Sequence, residues 1–273
     1  MPEGPEIRQV ADKLSKVLVG QTVQVEFSHP HLQPFGEELY GQTVTEVTSV
    51  GKALLIRFQL GLSIYCHSQL YGRWYVVSNE KLPRTNRQLR LSLKSPKGWG
   101  LLYSATDIEV LSKDDFAAHH FLAKLGPDLL DPKTTTAKLL KHLLQKKFVG
   151  RNLPALLLDQ GAFCGVGNYL RSEILFESKI GPNTCLKKLT GEQQKRLAKC
   201  AISMTRRAYE QKGVTNLAKR ANQLKNQGVP RRLYRHLVFS RLGQPCFECE
   251  TMIEKEDFAG RRLYFCPNCQ API

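Results

Sequence analysis

The chain has 273 residues, of which 42% are hydrophobic and 23% charged, enough for two modest domains with ordinary cores. Its formal net charge of +16 is costly in self-repulsion and is what a polyanion-binding protein carries. No apolar run approaches the ~20 residues of a spanning helix. The start carries neither a secretory leader pattern nor Met-Gly, and the QAPI end is not a prenylation box, so the expectation is an intracellular protein with no membrane partner.

The opening MPEGPEIRQ leads into a helix expected over residues 5–19. Ile7, Val10, Ala11, Leu14, Val17 and Leu18 recur at helical spacing. Pro5 suits the first turn, Glu3 and Glu6 lie at the positive end of the dipole, and Gly20 is a stop. From about 22 to 112 the segments TVTEV, KALLIRFQL, LSIYCH, RWYVV, RLSLK and WGLLYS are rich in β-branched and aromatic residues. Gly41, Gly61, Gly72 and SPKG at 95–98 punctuate them, which predicts an antiparallel sandwich or barrel. GPDLLDP at 126–132 closes an expected linker over 113–132.

Beyond it, TTTAKLLKHLLQKKF, NLPALLLDQ, NYLRSEILFES and TGEQQKRLAKCAISMTRRAYEQ read as helices, with Thr190 and Gln193 spaced as a capping box. From Arg206 to Arg241 ten Lys/Arg stand against one acid, Glu210. Such a run is either a solvated face or a phosphate contact. Its middle, NLAKRANQLKNQG, is polar enough to be expected as a mobile loop.

Cys66, Cys164, Cys185 and Cys200 are scattered singly, like small buried hydrophobes. Cys246, Cys249, Cys266 and Cys269 form two Cys-x-x-Cys pairs separated by sixteen residues. That spacing predicts one structural zinc (Zn2+), closed by four thiolates and so without an open coordination position.

The first residues also carry chemistry. Met before a small residue such as Pro is normally removed, leaving Pro2 with a free secondary amine. An α-amino group titrates near ~7.7–8.0, so part of it is unprotonated and nucleophilic at neutral pH. Such an amine attacks an aldehyde-like carbon to give an iminium, and the adjacent Glu3 is in place as acid or base. On these residues alone, the better account is the plainer one: Pro2 and Pro5 stiffen a helix start and Glu3 complements its dipole.

The motifs PEGPEIR, GKALL at 51–55, HSQLYGRW at 67–74, GPDLLDP, LLLDQ-x4-GVGNYLRSEIL at 156–175 and the four-cysteine finger occur in this order. Together they resemble the Fpg/Nei family of bifunctional DNA glycosylases, and the likeness spans essentially the whole chain. It implies an α+β multidomain protein: an N-terminal helix and antiparallel β-sandwich (1–125), a helix–two-turn–helix domain (126–235) and a zinc-finger β-hairpin (236–273).

The resemblance implies further that Pro2 is the nucleophile at sugar C1′ and Glu3 the acid/base. Lys52, on a strand, holds phosphate or sugar, and Arg261 in the finger grips phosphate and serves the second elimination. Lys124 and Asn168 are implied as DNA contacts, while Arg171 and Glu173 are expected to be structural. Gln69, Leu70 and Tyr71 are the residues that enter the stack when the base is extruded; a hairpin tip with one buried leucine is the plainer account of them.

HSQLYG is similar to the endonuclease VIII branch, which takes oxidised pyrimidines. The expectation is therefore base-excision repair of damaged double-stranded DNA by β- and δ-elimination, by a monomer in the bacterial cytoplasm. A formamidopyrimidine-type purine glycosylase and a non-catalytic zinc-ribbon DNA-binding protein are the alternatives.

Overall fold

The computed structural model describes residues 2–78, 82–258 and 260–270. Two compact units are present, Met1–Lys124 and Leu125–Ile273.

The first unit opens with α1 (Gly4–Leu18), whose Ile7, Ala11, Leu14 and Leu18 are buried as the periodicity predicts. Eight strands follow: β1 (Gln24–Phe27), β2 (Val44–Val50), β3 (Ala53–Phe58), β4 (Ser63–His67), β5 (Arg73–Val77), β6 (Leu89–Ser95), β7 (Gly98–Tyr103) and β8 (Asp107–Leu111). They form two antiparallel four-stranded sheets, ordered β2-β3-β4-β8 and β1-β6-β7-β5. One core joins the apolar face of α1 to both sheets, through Leu54, Ile56, Ile64, Leu91, Leu93 and Leu102.

The apolar run of β3 has a simple cause: both of its faces are buried. Leu54 and Ile56 point into the main core. Ala53 and Leu55 face a second cluster with Tyr65 and Leu111, covered by Phe116, Phe121 and Leu122. Strands alternate their side chains, so two covered faces erase the polar positions.

One helix departs from the strands expected over 22–112. Residues Gln33–Leu39 form α2, started by Pro34. It lies against β1 at Gly36, where an added Cβ would stand 3.2 Å from the Val25 carbonyl oxygen. A short α3 (Asp115–Ala118) ends this unit's regular structure before a 3-10 turn at Leu122–Lys124.

The second unit contains α4 (Thr136–Leu143), α5 (Lys146–Val149), α6 (Leu153–Leu156), α7 (Asn168–Glu177), α8 (Gly191–Glu210), α9 (Ala218–Asn226) and α10 (Arg231–Tyr234), then the hairpin β9 (Glu254–Phe258) and β10 (Arg261–Phe265). The Thr190–Gln193 capping box starts α8, with reciprocal bonds of 2.8 and 3.3 Å. Ile253, Leu263, Tyr264 and Cys266 of the finger share one core with α4, α7 and α8.

The stretch expected as a mobile loop, NLAKRANQLKNQG, is instead helical as α9. Ala221 is buried, Arg220 stacks on Phe247 with its guanidinium carbon 4.9 Å from the ring centroid, and Asn216 Nδ2 donates to Tyr234 O at 2.9 Å. One small buried side chain and two polar anchors fix a helix most of whose remaining residues are exposed.

Candidate active site and metal centre

Glu3 caps α1 in extended backbone, and its N–H donates to Glu6 Oε2 at 3.0 Å. Only 3% of Glu3 is exposed. Its carboxyl is thus a buried acid fixed at the positive end of a helix dipole, next in the chain to the half-buried Pro2.

Lys52 is not on a strand, as expected, but in the two-residue turn that joins β2 to β3, closed by the Val50–Ala53 pair. Gly51 takes φ +59 there, the left-handed first position such a hairpin turn requires. Lys52 is buried despite lying in a turn. Across the sheet, Ala53 pairs with His67. Burial pushes the His67 imidazole below its ordinary value and the Lys52 ammonium adds to this, while Asp107, 3.9 Å away, opposes both.

The loop Ser68–Gly72 leaves His67 at the end of one sheet and enters β5 of the other. Leu70 is 57% and Tyr71 67% exposed, so the plainer reading of a tip with a buried leucine fails. Two large apolar side chains therefore stand side by side in water. Lys52, His67 and Gln69 are brought together at one end of the sandwich, since Gln69 N–H donates to His67 Nδ1 at 3.2 Å.

In the second unit, Asn168 begins α7 after Gly167. Its Nδ2 donates to Arg262 O at 2.9 Å. The guanidinium of Arg171, wholly buried, donates to Asn168 Oδ1 at 2.7 Å and to Arg261 O and Arg262 O at 3.1 Å each. The Arg261 side chain itself is exposed. Asn168, Arg171 and Arg261 therefore form one group, in which α7 holds the start of β10.

Glu173, also wholly buried, accepts from the Thr215 hydroxyl and from the backbone N–H groups of Leu237, Val238 and Phe239 at 2.7–2.9 Å. Burial raises its carboxyl and these four donors pull it back. Both residues are structural, as expected. Lys124 is exposed at the end of the first unit.

Cys246, Cys249, Cys266 and Cys269 converge with all four Sγ atoms inside 4.8 Å of one another. Three of the separations are 3.4, 3.4 and 3.9 Å, bracketing the ~3.8 Å edge of a tetrahedron with ~2.3 Å Zn–S bonds. Glu248 N–H donates to Cys246 Sγ and Cys269 N–H to Cys266 Sγ, at 3.5 and 3.4 Å, the outer bonds that orient thiolates. The four fit one structural zinc.

A second group, Glu109, His119 and His120, has ligand atoms equally close, but it does not suit a metal. His119 Nδ1 accepts from Phe121 and Leu122 N–H at 3.2 and 3.1 Å. The ring proton then sits on Nε2, the atom facing Glu109 Oε2 at 3.5 Å.

Residues 1–106 match the formamidopyrimidine-DNA glycosylase N-terminal domain, 125–219 its H2TH domain, and 243–272 the zinc finger found in FPG and IleRS. The chain is 41% identical over 271 residues to Endonuclease 8 of Escherichia coli O17:K52:H18, covering 99% of this chain and all of that one. It is 39% identical over 272 residues to Endonuclease 8 of Pectobacterium atrosepticum, again over 99% and 100% of the two. Among solved structures, MutM in complex with DNA containing carbocyclic 8-oxo-G superposes with a TM-score of 0.80 at 23% identity, over 99% of this chain and 100% of that one. Lactococcus lactis Fpg with an abasic-site DNA does so at 0.80 and 22%, over 98% and 99%.

Proposed function

The chain belongs to the Fpg/Nei family of base-excision-repair DNA glycosylases and AP lyases, and we propose that within it this protein removes oxidised pyrimidines from double-stranded DNA. The observation that carries the chemistry is the buried Glu3 carboxyl, held at the start of α1 beside Pro2. The full-length likeness to two bacterial Endonuclease 8 proteins and the HSQLYG stretch at 67–72 support the pyrimidine branch. The bacterial relatives also support a cytoplasmic setting, and a monomer is enough for the reaction.

Once Met1 is removed, the Pro2 nitrogen lone pair attacks C1′ and the bond from C1′ to the damaged base breaks, the base leaving with the proton that the Pro2 nitrogen gives up. Glu3 donates a proton to the ring oxygen as the C1′–O4′ bond opens, which gives the iminium at C1′. That cation acidifies C2′–H. Loss of this proton expels the 3′ phosphate, and loss of the C4′ proton in a second elimination expels the 5′ phosphate, each phosphate leaving with the electrons of its C–O bond. Water then adds to the iminium carbon and releases Pro2. Lys52 holds the sugar or phosphate, Arg261 the phosphate of the second step, and Lys124 and Asn168 further phosphates. The zinc keeps the finger that carries Arg261 folded.

Borohydride added to protein and abasic DNA tests this: a covalent complex forms, and blocking Pro2 abolishes it. Mass spectrometry showing Met1 retained on active protein overturns the proline mechanism. Thymine glycol is excised faster than oxidised guanine; equal or faster purine removal overturns the pyrimidine assignment.

A further inference from the structure

We propose that Thr106 and Arg87 are positioning residues for the Gln69–Tyr71 loop, holding it ready to enter the DNA stack before DNA arrives. The proposal rests on the glycosylase reading above and adds to it the pair of side chains that sets the shape of the entering segment.

The loop is unusual in needing external support. Gln69 takes φ +46, a left-handed conformation that a side-chain-bearing residue rarely adopts and that persists only where its surroundings impose it. Gly72 N–H donates to Ser68 O at 2.7 Å, closing the loop in a single turn. An added Cβ on Gly72 would stand 2.5 Å from the Ser68 carbonyl oxygen, so only glycine closes it this tightly. Leu70 and Tyr71 point into water and contribute nothing apolar to hold it.

The support comes from both sheets. Thr106 lies immediately before β8, whose Asp107 pairs with His67, and its hydroxyl donates to Gln69 Oε1 at 3.1 Å. Arg87 lies two residues before β6 in the other sheet, and its guanidinium donates to the Tyr71 carbonyl oxygen. These two residues share a mount. Ser104 N–H donates to Gln88 O at 2.9 Å, tying the residue after Arg87 to the strand end that leads through the buried Ala105 to Thr106. One brace fixes the residue before Leu70, the other fixes Tyr71, and the wedge between them is left free to project.

Preorganisation of this kind lowers the cost of ordering a loop during binding. It matters only where a stack must be entered and a gap filled. Cleavage of a single-stranded abasic oligonucleotide offers neither. The ratio of excision from a thymine glycol duplex to cleavage of that oligonucleotide therefore isolates the loop from the chemistry.

Thr106→Val, which keeps shape and removes the hydroxyl, is expected to lower this ratio about three- to tenfold, the worth of one net hydrogen bond. Thr106→Ser restores it, and Arg87→Ala lowers it similarly. An unchanged ratio in both Thr106→Val and Arg87→Ala overturns the proposal. So does an equal fall in both activities that Thr106→Ser does not rescue, because the residues then merely hold the sandwich. Borohydride trapping of the wild-type protein on the same abasic strand separates the two layers: without it the glycosylase reading fails, and with it only the bracing is at issue.

Discussion

Glu3 meets two demands with one carboxyl. It caps α1 and is shielded from water, so the helix that orients it also fixes its distance from the neighbouring proline. Glu3→Gln keeps the volume and removes the proton donor. Excision is expected to fall about 10²- to 10⁴-fold, the usual worth of a general acid, while borohydride trapping on a preformed abasic site persists; gel assays of the two activities check this. His67 makes a pH prediction. Burial and Lys52 depress its folded value below the ordinary 6.5, so the unfolded chain takes the proton first. The stability His67 contributes is complete above pH 6.5 and is lost as pH falls through the folded value. Protonation also removes the acceptor for Gln69 N–H. Melting temperatures between pH 7.5 and 5.5 are expected to fall more steeply for wild type than for His67→Gln.

Elements differ in how openly the sequence declares them. α1 and α8 do so fully, because each has a cap, an apolar stripe and a solvated face. The helical character of α9 was hidden, since its one buried side chain is an alanine and its anchors, Asn216 and Arg220, reach partners up to 27 residues away. The turn that buries Lys52 was hidden too, because GKALLIRF reads as a continuous strand when both faces are covered. At the start of α7, Arg171 donates to Pro154 O, Asn168 Oδ1, Arg261 O and Arg262 O. Lysine has a single ammonium and cannot reproduce that fork. Arg171→Lys is expected to cost about 2–4 kcal/mol and to speed zinc release to a chelator. Thermal melting and a metal-indicator assay check it, with unchanged values in both refuting the claim that α7 holds the finger.

Across the whole molecule, charge is the dominant property. Forty Lys and Arg stand against 24 Asp and Glu, a surplus that pairing within the chain cannot neutralise. Counterion release then makes DNA affinity steeply salt-dependent: with six to ten phosphates neutralised, affinity falls roughly 10³- to 10⁵-fold between 50 and 200 mM salt. Fluorescence anisotropy on undamaged duplex measures the slope, and a shallow one would mean the surplus charge is only a solvated face.

By itself the sequence determined the chemistry-bearing residue types, the zinc ligands, the strand-then-helix order and the polyanion partner, because each is a matter of local spacing or of composition. The tertiary structure alone decided where Lys52 sits, that Leu70 and Tyr71 stand in water, and that Thr106 and Arg87 reach the loop between them. Those outcomes depend on which strands become neighbours. Thr106 and Gln69 are 37 residues apart, Arg171 and Arg262 are 91, and no period in the chain encodes such pairings; they follow only once burial of the apolar faces has set the register.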